Sequence, residues 1–166
     1  VDSPLAVNVT EIFRRHPECF DDKMRTYMET DPRPFGFGRL TYIRDVQDSK
    51  RLNASRLPMV IISASGMAEA GRILHHLRNN ISDPRNTIMI VGYCADHTLG
   101  KRIVDQEPVV KIFGEPHALK AEVQVMNSYS AHADEPELLE FIGRLDRQRL
   151  KRVFLVHGDP SRQIAL

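Results

Sequence analysis

Two histidines near the C-terminal end stand where an imidazole could do chemistry. His132 lies in the small-residue run from Ser130 to Asp134, just before a helical pattern, and His157 follows an apolar run. Imidazole transfers protons near neutral pH and also binds metal ions. Asp134 could orient the His132 ring, although an Asp at this place is more often a helix cap. His157 alone makes no zinc site, because zinc needs three or four ligands.

A third candidate is the run of small residues from Ser63 to Met67. It follows an apolar run and precedes a helical pattern. The first N–H groups of a helix lack intrahelical acceptors, so Ser65 and Gly66 at such a place could admit a phosphate oxygen. The run lacks the Gly-Lys-Ser/Thr ending of a P-loop. An anion site and a simple capping turn therefore both remain open.

Arg72, His75 and His76 are basic side chains on the predicted helix that follows. Arg72 and His76 are four residues apart, so they share a helix face and could bind an anion together. His75 and His76 are adjacent, and their side chains diverge by roughly 100°, which disfavours a shared metal ion. We expect both histidines to be exposed or at an interface.

The elements that must position these residues follow from hydrophobic patterning. Apolar runs without alternation predict strands buried on both faces of a parallel sheet at Met59–Ile62, Ile88–Val91 and Val153–Val156. The stripe of Ala70, Leu74, Leu77 and Ile81 predicts a helix between the first two, hence a βαβ unit. Further strands are expected at Leu40–Ile43, Val109–Phe113 and Ala121–Met126. Helices are expected after Ser3-Pro4 and at Cys19–Glu29, Asp45–Asn53 and Glu135–Leu145. The fold class is therefore α/β with a parallel sheet.

Composition excludes several classes of protein. The chain has 166 residues and is 42% hydrophobic, which suffices for one globular domain or one domain with part of another. The sequence contains no run of 18 apolar residues, which a transmembrane helix would need, so we expect no membrane partner. The net charge of +1 gives no support to a generic basic nucleic-acid binder. Cys19 and Cys94 form no Cys-x-x-Cys pair, which indicates a reducing, cytoplasmic location.

Several short motifs occur in one order along almost the whole chain. They are Asp2-Ser3-Pro4-Leu5-Ala6, Ser65-Gly66-Met67 with Gly71-Arg72 and His75-His76, Asp83-Pro84-Arg85-Asn86-Thr87, Gly92-Tyr93-Cys94 with Thr98-Leu99-Gly100, Ser130-Ala131-His132-Ala133-Asp134, and Val156-His157-Gly158. Each motif is weak alone. As an ordered set they resemble the β-CASP branch of the metallo-β-lactamase superfamily, which contains zinc-dependent RNA-processing nucleases.

This resemblance implies a fold and a division of the chain. Residues 1–125 would be the β-CASP domain, a parallel sheet with helices on both faces. Residues 126–166 would be a short segment returning to an αββα metallo-β-lactamase domain, the remainder of which would be the missing partner domain of the same chain. The sequence lacks an initiator Met and stops early in a helical pattern, which also favours a piece of a longer protein.

The resemblance also implies roles for single residues. His132 matches the histidine that protonates the leaving group or holds the scissile phosphate, and His157 matches a ligand of one zinc ion. Ser130, Ser65 and Gly66 match positions along the RNA phosphate path, and Arg72 is a further candidate for substrate binding. Two zinc ions in the full-length protein would activate a hydroxide that attacks the phosphodiester. We expect His132 and His157 to face one shared groove.

This sequence departs from the family pattern in two respects. The His-x-His-x-Asp-His motif and the other upstream metal ligands are not in these 166 residues. We therefore expect that this chain alone holds no zinc pair and cleaves no RNA. His97 stands where the family often has Gly, immediately before Thr98.

The sequence leaves three functions open. The leading hypothesis is part of a zinc-dependent ribonuclease whose β-CASP domain forms the RNA-binding cleft. The alternative is a non-catalytic β-CASP module that binds partners in an RNA-processing complex. The third is a small α/β domain that binds a phosphorylated metabolite at the Ser63 turn. A homodimer is a further hypothesis, since the apolar run Val153–Val156 would need a cover.

Overall fold

The computed structural model describes residues 1–128, 132–156, 158 and 160–166. The chain forms two compact units, Val1–Tyr129 and Ser130–Leu166. The first unit contains α1 (Pro4–Arg15), a 3-10 turn (Pro17–Cys19), α2 (Asp22–Thr30), α3 (Val46–Ala54), α4 (Arg72–Asn80), β1 (Thr87–Val91), α5 (Leu99–Val104), β2 (Val109–Ile112), β3 (Glu115–Ala118) and β4 (Glu122–Met126). The second unit contains α6 (Glu135–Gly143) and α7 (Pro160–Ala165).

The N-terminal helices begin at polar caps, and the helix after Ser3 and Pro4 starts where the sequence predicts. Ser3 caps α1 by accepting a hydrogen bond from the Ala6 N–H, and Pro4 occupies the first helical position. Asp21 and Asp45 cap α2 and α3 in the same way, and Pro17 separates α1 from α2. Local cap chemistry therefore sets these three helix starts.

The core of the first unit lies between α4, α5 and the β2–β3 hairpin. Ile81, Ile103 and Ile112 are completely or almost completely buried, and Leu77 joins them from α4. Leu74, Leu77 and Ile81 of the predicted stripe thus face the core, whereas Ala70 is exposed and precedes α4. Burying side chains of this size contributes about 1.5–3 kcal/mol each relative to exposure, so this cluster holds the surrounding loops in place.

The strands form two separate two-stranded sheets among the described residues. β1 and β4 pair in parallel, from Thr87 opposite Glu122 to Val91 opposite Met126. β2 and β3 form an antiparallel hairpin. The predicted strands at Ile88–Val91, Val109–Phe113 and Ala121–Met126 are confirmed, and the mixed α/β class with a parallel sheet is confirmed with them.

The predicted strands at Leu40–Ile43, Met59–Ile62 and Val153–Val156 are wrong. All three runs lack strand structure, and the side chains of Val60 and Phe154 are 88% and 77% exposed. A strand requires a hydrogen-bonded neighbour, and the described part of the chain provides no ladder beside these runs. The Ile62 carbonyl accepts a hydrogen bond from the Asp2 N–H instead.

The βαβ unit also differs from the prediction. β1 pairs with β4, and the connection between them runs through α5 and the β2–β3 hairpin rather than through α4. Hydrophobic patterning identified β1 correctly but cannot identify its neighbour, because pairing is a tertiary property.

The predicted boundary at residues 125 and 126 falls within β4. Met126 is the last residue of β4 and pairs with Val91, and the first compact unit continues to Tyr129. In the second unit, α6 carries the predicted apolar side chains Leu138 and Phe141, which are 38% and 66% exposed. No helix in the described ranges is both long and apolar enough to cross a membrane.

Candidate active site and the residues that support it

His132 lies two residues before the cap of α6 and its side chain is exposed. Asp134 is the cap: its carboxylate accepts a hydrogen bond from the Glu137 N–H at 3.0 Å, and the Glu137 carboxylate accepts one from the Asp134 N–H at 3.1 Å. This reciprocal pair is a capping box. Of the two roles considered for Asp134, the helix cap is the one confirmed.

The predicted sites at Ser130 and His157 lie outside the described residues. Their assignment to the phosphate path and to a zinc ion therefore stays a prediction from the resemblance. The same holds for the shared groove expected between His132 and His157. Ser65, Gly66 and Arg72 belong to the first unit, whereas His132 belongs to the second.

The loop that contains Ser65 and Gly66 is not the start of a helix, which corrects the sequence-based expectation. α4 begins only at Arg72, and Gly71 is its cap. The loop is closed instead by backbone hydrogen bonds, from Ser65 N–H to the Ala70 carbonyl and from Ala68 N–H to the Ser65 carbonyl. The helix dipole therefore does not act directly at Ser65.

Contacts from the next loop hold the Gly66–Met67 segment in place. The Cys94 thiol donates to the Gly66 carbonyl, the Gly100 N–H donates to the Met67 carbonyl, and the Ala95 N–H contacts the Met67 sulfur at 3.1 Å. The N–H groups of Gly66 and Met67 themselves donate no hydrogen bond within the described residues. Two donors thus remain for an anionic ligand.

Close packing requires glycine at two positions of the motifs that carry the family resemblance. A Cβ at Gly71, whose φ is +89°, would lie 2.9 Å from the Ala64 carbonyl oxygen. A Cβ at Gly100 would lie 2.8 Å from the Cys94 sulfur and 3.0 Å from the Met67 oxygen. Gly66 differs, because a Cβ there would meet nothing within 4 Å. Gly71 and Gly100 therefore position the loop, while Gly66 leaves its surface open.

Cys94 supports the loop and has no reactive character. Its side chain is 5% exposed, and burial raises the pKa of its thiol despite the nearby charge of Lys101. A buried neutral thiol is a poor nucleophile. Its place in the motif is explained by packing against Gly66 and Gly100.

Arg72 is bound within the protein. Its guanidinium donates to the Asp2 carboxylate at 2.5 Å and to the Arg44 carbonyl at 2.7 Å, and its side chain is 18% exposed. A role for Arg72 in substrate binding stays a prediction. The structure does place Arg72 and His76 on one anion, as expected, but that anion is a carboxylate of the same chain.

Asp2 is the centre of this buried polar cluster, hereafter the Asp2 cluster. The Asp2 side chain is fully buried and also accepts hydrogen bonds from Ser49, at 2.6 Å, and from the His76 ring, at 2.7 Å. Burial raises the pKa of the Asp2 carboxyl, but hydrogen bonds from Ser49, Arg72 and His76 outweigh burial and leave the pKa below its ordinary value. The carboxylate is therefore ionised at neutral pH.

The Asp2 cluster corrects one expectation and adds a residue that sequence reasoning missed. His76 is 4% exposed, so its predicted exposure is wrong, whereas His75 is exposed. The second ring nitrogen of His76 lies 3.0 Å from the Asn53 amide oxygen. Nothing in the sequence indicated that Asp2 would be buried and ionised, beyond its place in a motif before the α1 cap. The side chains that donate hydrogen bonds to it are 47 to 74 residues away in sequence.

The described residues do not assemble a metal site. No group of three or more His, Cys, Asp or Glu side chains comes together in the described part of the chain. The Asp134 carboxylate, the nearest acidic side chain in sequence to His132, is bonded to a helix N–H. These residues alone therefore do not fit a zinc pair.

Comparison with known proteins supports the resemblance over the whole length. Residues 1–103 match the model of the Beta-Casp domain, and residues 116–166 match that of the Zn-dependent metallo-hydrolase RNA specificity domain. The chain is 37% identical over its entire length to Ribonuclease TTHA0252 of Thermus thermophilus, of which it covers 37%.

Archaeal relatives are also similar. The chain is 32% identical to Transcription termination factor FttA of Methanosarcina mazei, over 90% of this chain and 24% of that protein. It is 28% identical to the FttA of Pyrococcus abyssi, over 100% of this chain and 27% of that protein. The chain thus spans 24% to 37% of the length of these relatives. With the matched domains, these similarities show that the chain belongs to the β-CASP family of metallo-β-lactamase-fold nucleases.

Proposed function

We propose that the chain is part of a zinc-dependent ribonuclease that hydrolyses RNA phosphodiester bonds, with the first unit supplying the RNA-binding surface. The observation that carries this proposal is the 37% identity to a ribonuclease over all 166 residues, which includes the segment around His132. The exposure of the His132 side chain agrees with a role at a solvent-facing substrate.

The Ser65–Gly66 loop would bind the RNA backbone. Its two unused N–H groups, on Gly66 and Met67, can donate to phosphate oxygens, and small side chains leave room for the phosphate. The Cys94 and Gly100 contacts fix these donors in advance, which reduces the entropy lost on binding. Because contacts to phosphates release counterions, RNA binding should weaken as salt is added.

His132 would act on the leaving oxygen of the cleaved bond. An exposed imidazole can donate a proton to that oxygen as the phosphodiester breaks, or hold the scissile phosphate by a hydrogen bond. Asp134 contributes indirectly, because its capping box fixes the start of α6 close to His132 in sequence. We assign His132 the catalytic role and Asp134 a positioning role.

Zinc enters the proposal only for the intact protein. The metal would supply a Lewis acid and a hydroxide nucleophile when bound. From this chain, His157 would contribute one ligand, and the others would come from the metallo-β-lactamase part of the protein. A His157→Ala variant of the intact protein should lose bound zinc by elemental analysis as well as activity. Full zinc content in that variant would remove His157 from the ligand set.

The decisive experiment is RNA cleavage by the intact protein and its His132→Ala variant. Loss of a general acid lowers kcat by roughly 10²–10⁴-fold. Because His132 is exposed, the variant should unfold at the same temperature as the wild type. His16→Gln, at another exposed histidine, is the matched control and should cleave normally. Undiminished turnover in His132→Ala would exclude the proposed role.

Gly66→Ala tests the proposed phosphate path. A Cβ at this residue meets nothing within 4 Å, so the fold should tolerate it. If RNA lies against the Gly66 N–H, the added methyl group should raise KM for RNA several-fold without changing thermal stability. An unchanged KM would place the RNA elsewhere.

The non-catalytic module is the competing function. In that case the intact protein would bind RNA or partners but cleave no RNA, and His132→Ala would change nothing. For the 166-residue chain by itself, we expect neither a zinc pair nor cleavage in either case. Stoichiometric zinc together with metal-dependent cleavage by this chain would contradict that expectation.

Two further expectations accompany the proposal. The cytoplasm is the proposed compartment, since Cys19 and Cys94 are both free thiols in the structure. Homodimerisation through the exposed run Val153–Val156 stays a prediction, which light scattering can test by comparing the wild type with a Phe154→Ser variant.

A further inference from the structure

A cavity of about 300 Å³ opens on the first unit, beside the core and apart from the Asp2 cluster. α4, α5 and the β2–β3 hairpin all contribute to its lining. Its volume is at the lower end of the range for small-molecule sites. The sequence analysis did not single out this place, because its lining residues are spread over more than 40 positions in sequence.

Two cationic side chains line the cavity. Arg102 and Lys111 line it, and neither side chain makes a hydrogen bond or ion pair within the described ranges. The one acidic side chain in the lining, Glu69, accepts a hydrogen bond from the Leu99 N–H. The lining therefore has an excess of positive charge available to a ligand.

One side of the cavity is aromatic. Phe113 lines it, and its ring contacts the His75 ring at a centroid distance of 4.9 Å. The Phe113 side chain is 51% exposed, so part of its surface is accessible to a ligand. Aromatic rings next to cations are the combination that binds a nucleobase together with its phosphate.

The backbone around the cavity adopts conformations that L-residues disfavour. Ala68, His97 and Phe113 have φ of 54°, 66° and 52°, and all three line the cavity. Among the described residues only one other non-glycine residue, Gln106, has a positive φ. Such strain concentrates at ligand sites. The positive φ of His97 also explains why a glycine suits this position. This chain therefore places an imidazole there at a conformational cost.

From the cations, the ring and the strained lining together, we propose that this cavity binds one nucleotide, with Arg102 and Lys111 on the phosphate and Phe113 against the base. The nucleotide could come from a bound RNA strand or from the free mononucleotide pool, and both present the same chemistry. The RNA source rests on the proposed ribonuclease function, whereas the free nucleotide does not.

The test compares four probes by calorimetric titration of the intact protein at low salt. They are adenosine 5′-monophosphate, adenosine, ribose 5-phosphate and inorganic phosphate. The monophosphate should bind more tightly than any of the other three, because only it engages both the cations and the ring. Equal affinity for the monophosphate and inorganic phosphate would overturn the assignment.

Two variants separate the charged and aromatic contacts. The double variant Arg102→Ala/Lys111→Ala should weaken binding of the monophosphate about tenfold or more and leave adenosine unchanged. Phe113→Gly, which suits the positive φ, should weaken both the monophosphate and adenosine and leave ribose 5-phosphate unchanged. Lys120→Ala removes an exposed lysine outside the cavity and is the matched control. Unchanged monophosphate affinity in both variants would overturn the proposal.

A short oligoribonucleotide distinguishes the two sources. Measured in the His132→Ala background, its affinity should fall by a similar factor in the double variant if the cavity holds a nucleotide of the strand. An effect on the monophosphate alone supports a site for free nucleotides. If the intact protein cleaves no RNA but still binds the monophosphate through Lys111, the ribonuclease proposal fails and this site stands. If cleavage depends on His132 but the cavity variants bind normally, this site fails alone.

Discussion

Asp2 in the first unit and His132 in the second both belong to motifs of the same family resemblance. They differ in their exposure to solvent. Asp2 is completely buried and accepts hydrogen bonds from three side chains, whereas His132 is exposed beside a helix cap. A motif thus marks residues that hold the structure as well as residues for which we propose a chemical role. Burial separates the two classes.

The same difference determines how each region should respond to mutation. Removing a buried charge leaves the charged groups around it without a partner, so the free energy of unfolding falls. Removing an exposed imidazole opens no cavity in the core, so we expect its main effect to be on turnover. The Ser65–Gly66 loop lies between these cases, since Gly71 and Gly100 support it while Gly66 is open.

The largest effect on stability is expected for Asp2→Ala. This variant leaves Arg72 and His76 facing each other without a carboxylate, which should lower the free energy of unfolding by about 3–5 kcal/mol. Urea denaturation measures it, with His132→Ala as the control that should stay within about 0.5 kcal/mol of the wild type.

Ser49→Ala is the milder companion in case Asp2→Ala fails to fold. It removes one hydrogen bond to the carboxylate, worth about 1.5–3 kcal/mol. A loss of less than about 0.5 kcal/mol in both variants would show that the Asp2 cluster contributes little, and the contrast with His132 would disappear.

A second prediction concerns pH. The folded pKa of Asp2 lies below its unfolded value, so the unfolded state binds the proton more readily. The contribution of Asp2 to stability is therefore complete above about pH 4 and is lost as the pH falls through the folded pKa. The difference in unfolding free energy between the wild type and Asp2→Asn should shrink from pH 6 towards pH 3. A constant difference would mean that the ionised form is not what stabilises the fold.

Local features of the fold could be predicted from the sequence because their causes are local. Ser3, Asp45 and Asp134 cap helices, and the apolar runs that became β1 and β4 carry their own strand propensity. Met59–Ile62 has equal propensity, but strand formation also needs a neighbour, which single-sequence patterning does not supply. The wrong strands are thus failures of pairing rather than of propensity.

The candidate site was predictable to a similar degree. The ordered motifs identified His132 and the Ser65–Gly66 loop, and the loop does present unused N–H groups. They could not show that Arg72 would be bound to Asp2, because those residues are 70 positions apart. Nor could they identify the cavity at Lys111, which depends on the packing of α4, α5 and the hairpin.

Gly100→Ala should cost about 1–3 kcal/mol by overpacking. Its Cβ would approach the Cys94 sulfur and the Met67 backbone, and the backbone cannot move without disturbing the Gly66 segment. Gly143→Ala in α6 is the matched control, since its Cβ meets nothing within 4 Å. Thermal or urea unfolding should separate the two variants. Equal stability of both would indicate that the loop adjusts freely and does not present fixed donors.

The smallest effect on stability is expected at Asp134, which caps α6 two residues after His132. Asp134→Ala removes the cap of α6 and should lower stability by about 1 kcal/mol. Asp134→Ser restores a capping oxygen without the charge, so it should recover most of that stability. If Asp134 serves only as the cap, RNA cleavage by the intact protein should recover with it. Recovery of stability without recovery of cleavage would show that the carboxylate also acts on His132, and Asp134 would then belong with the reacting residues.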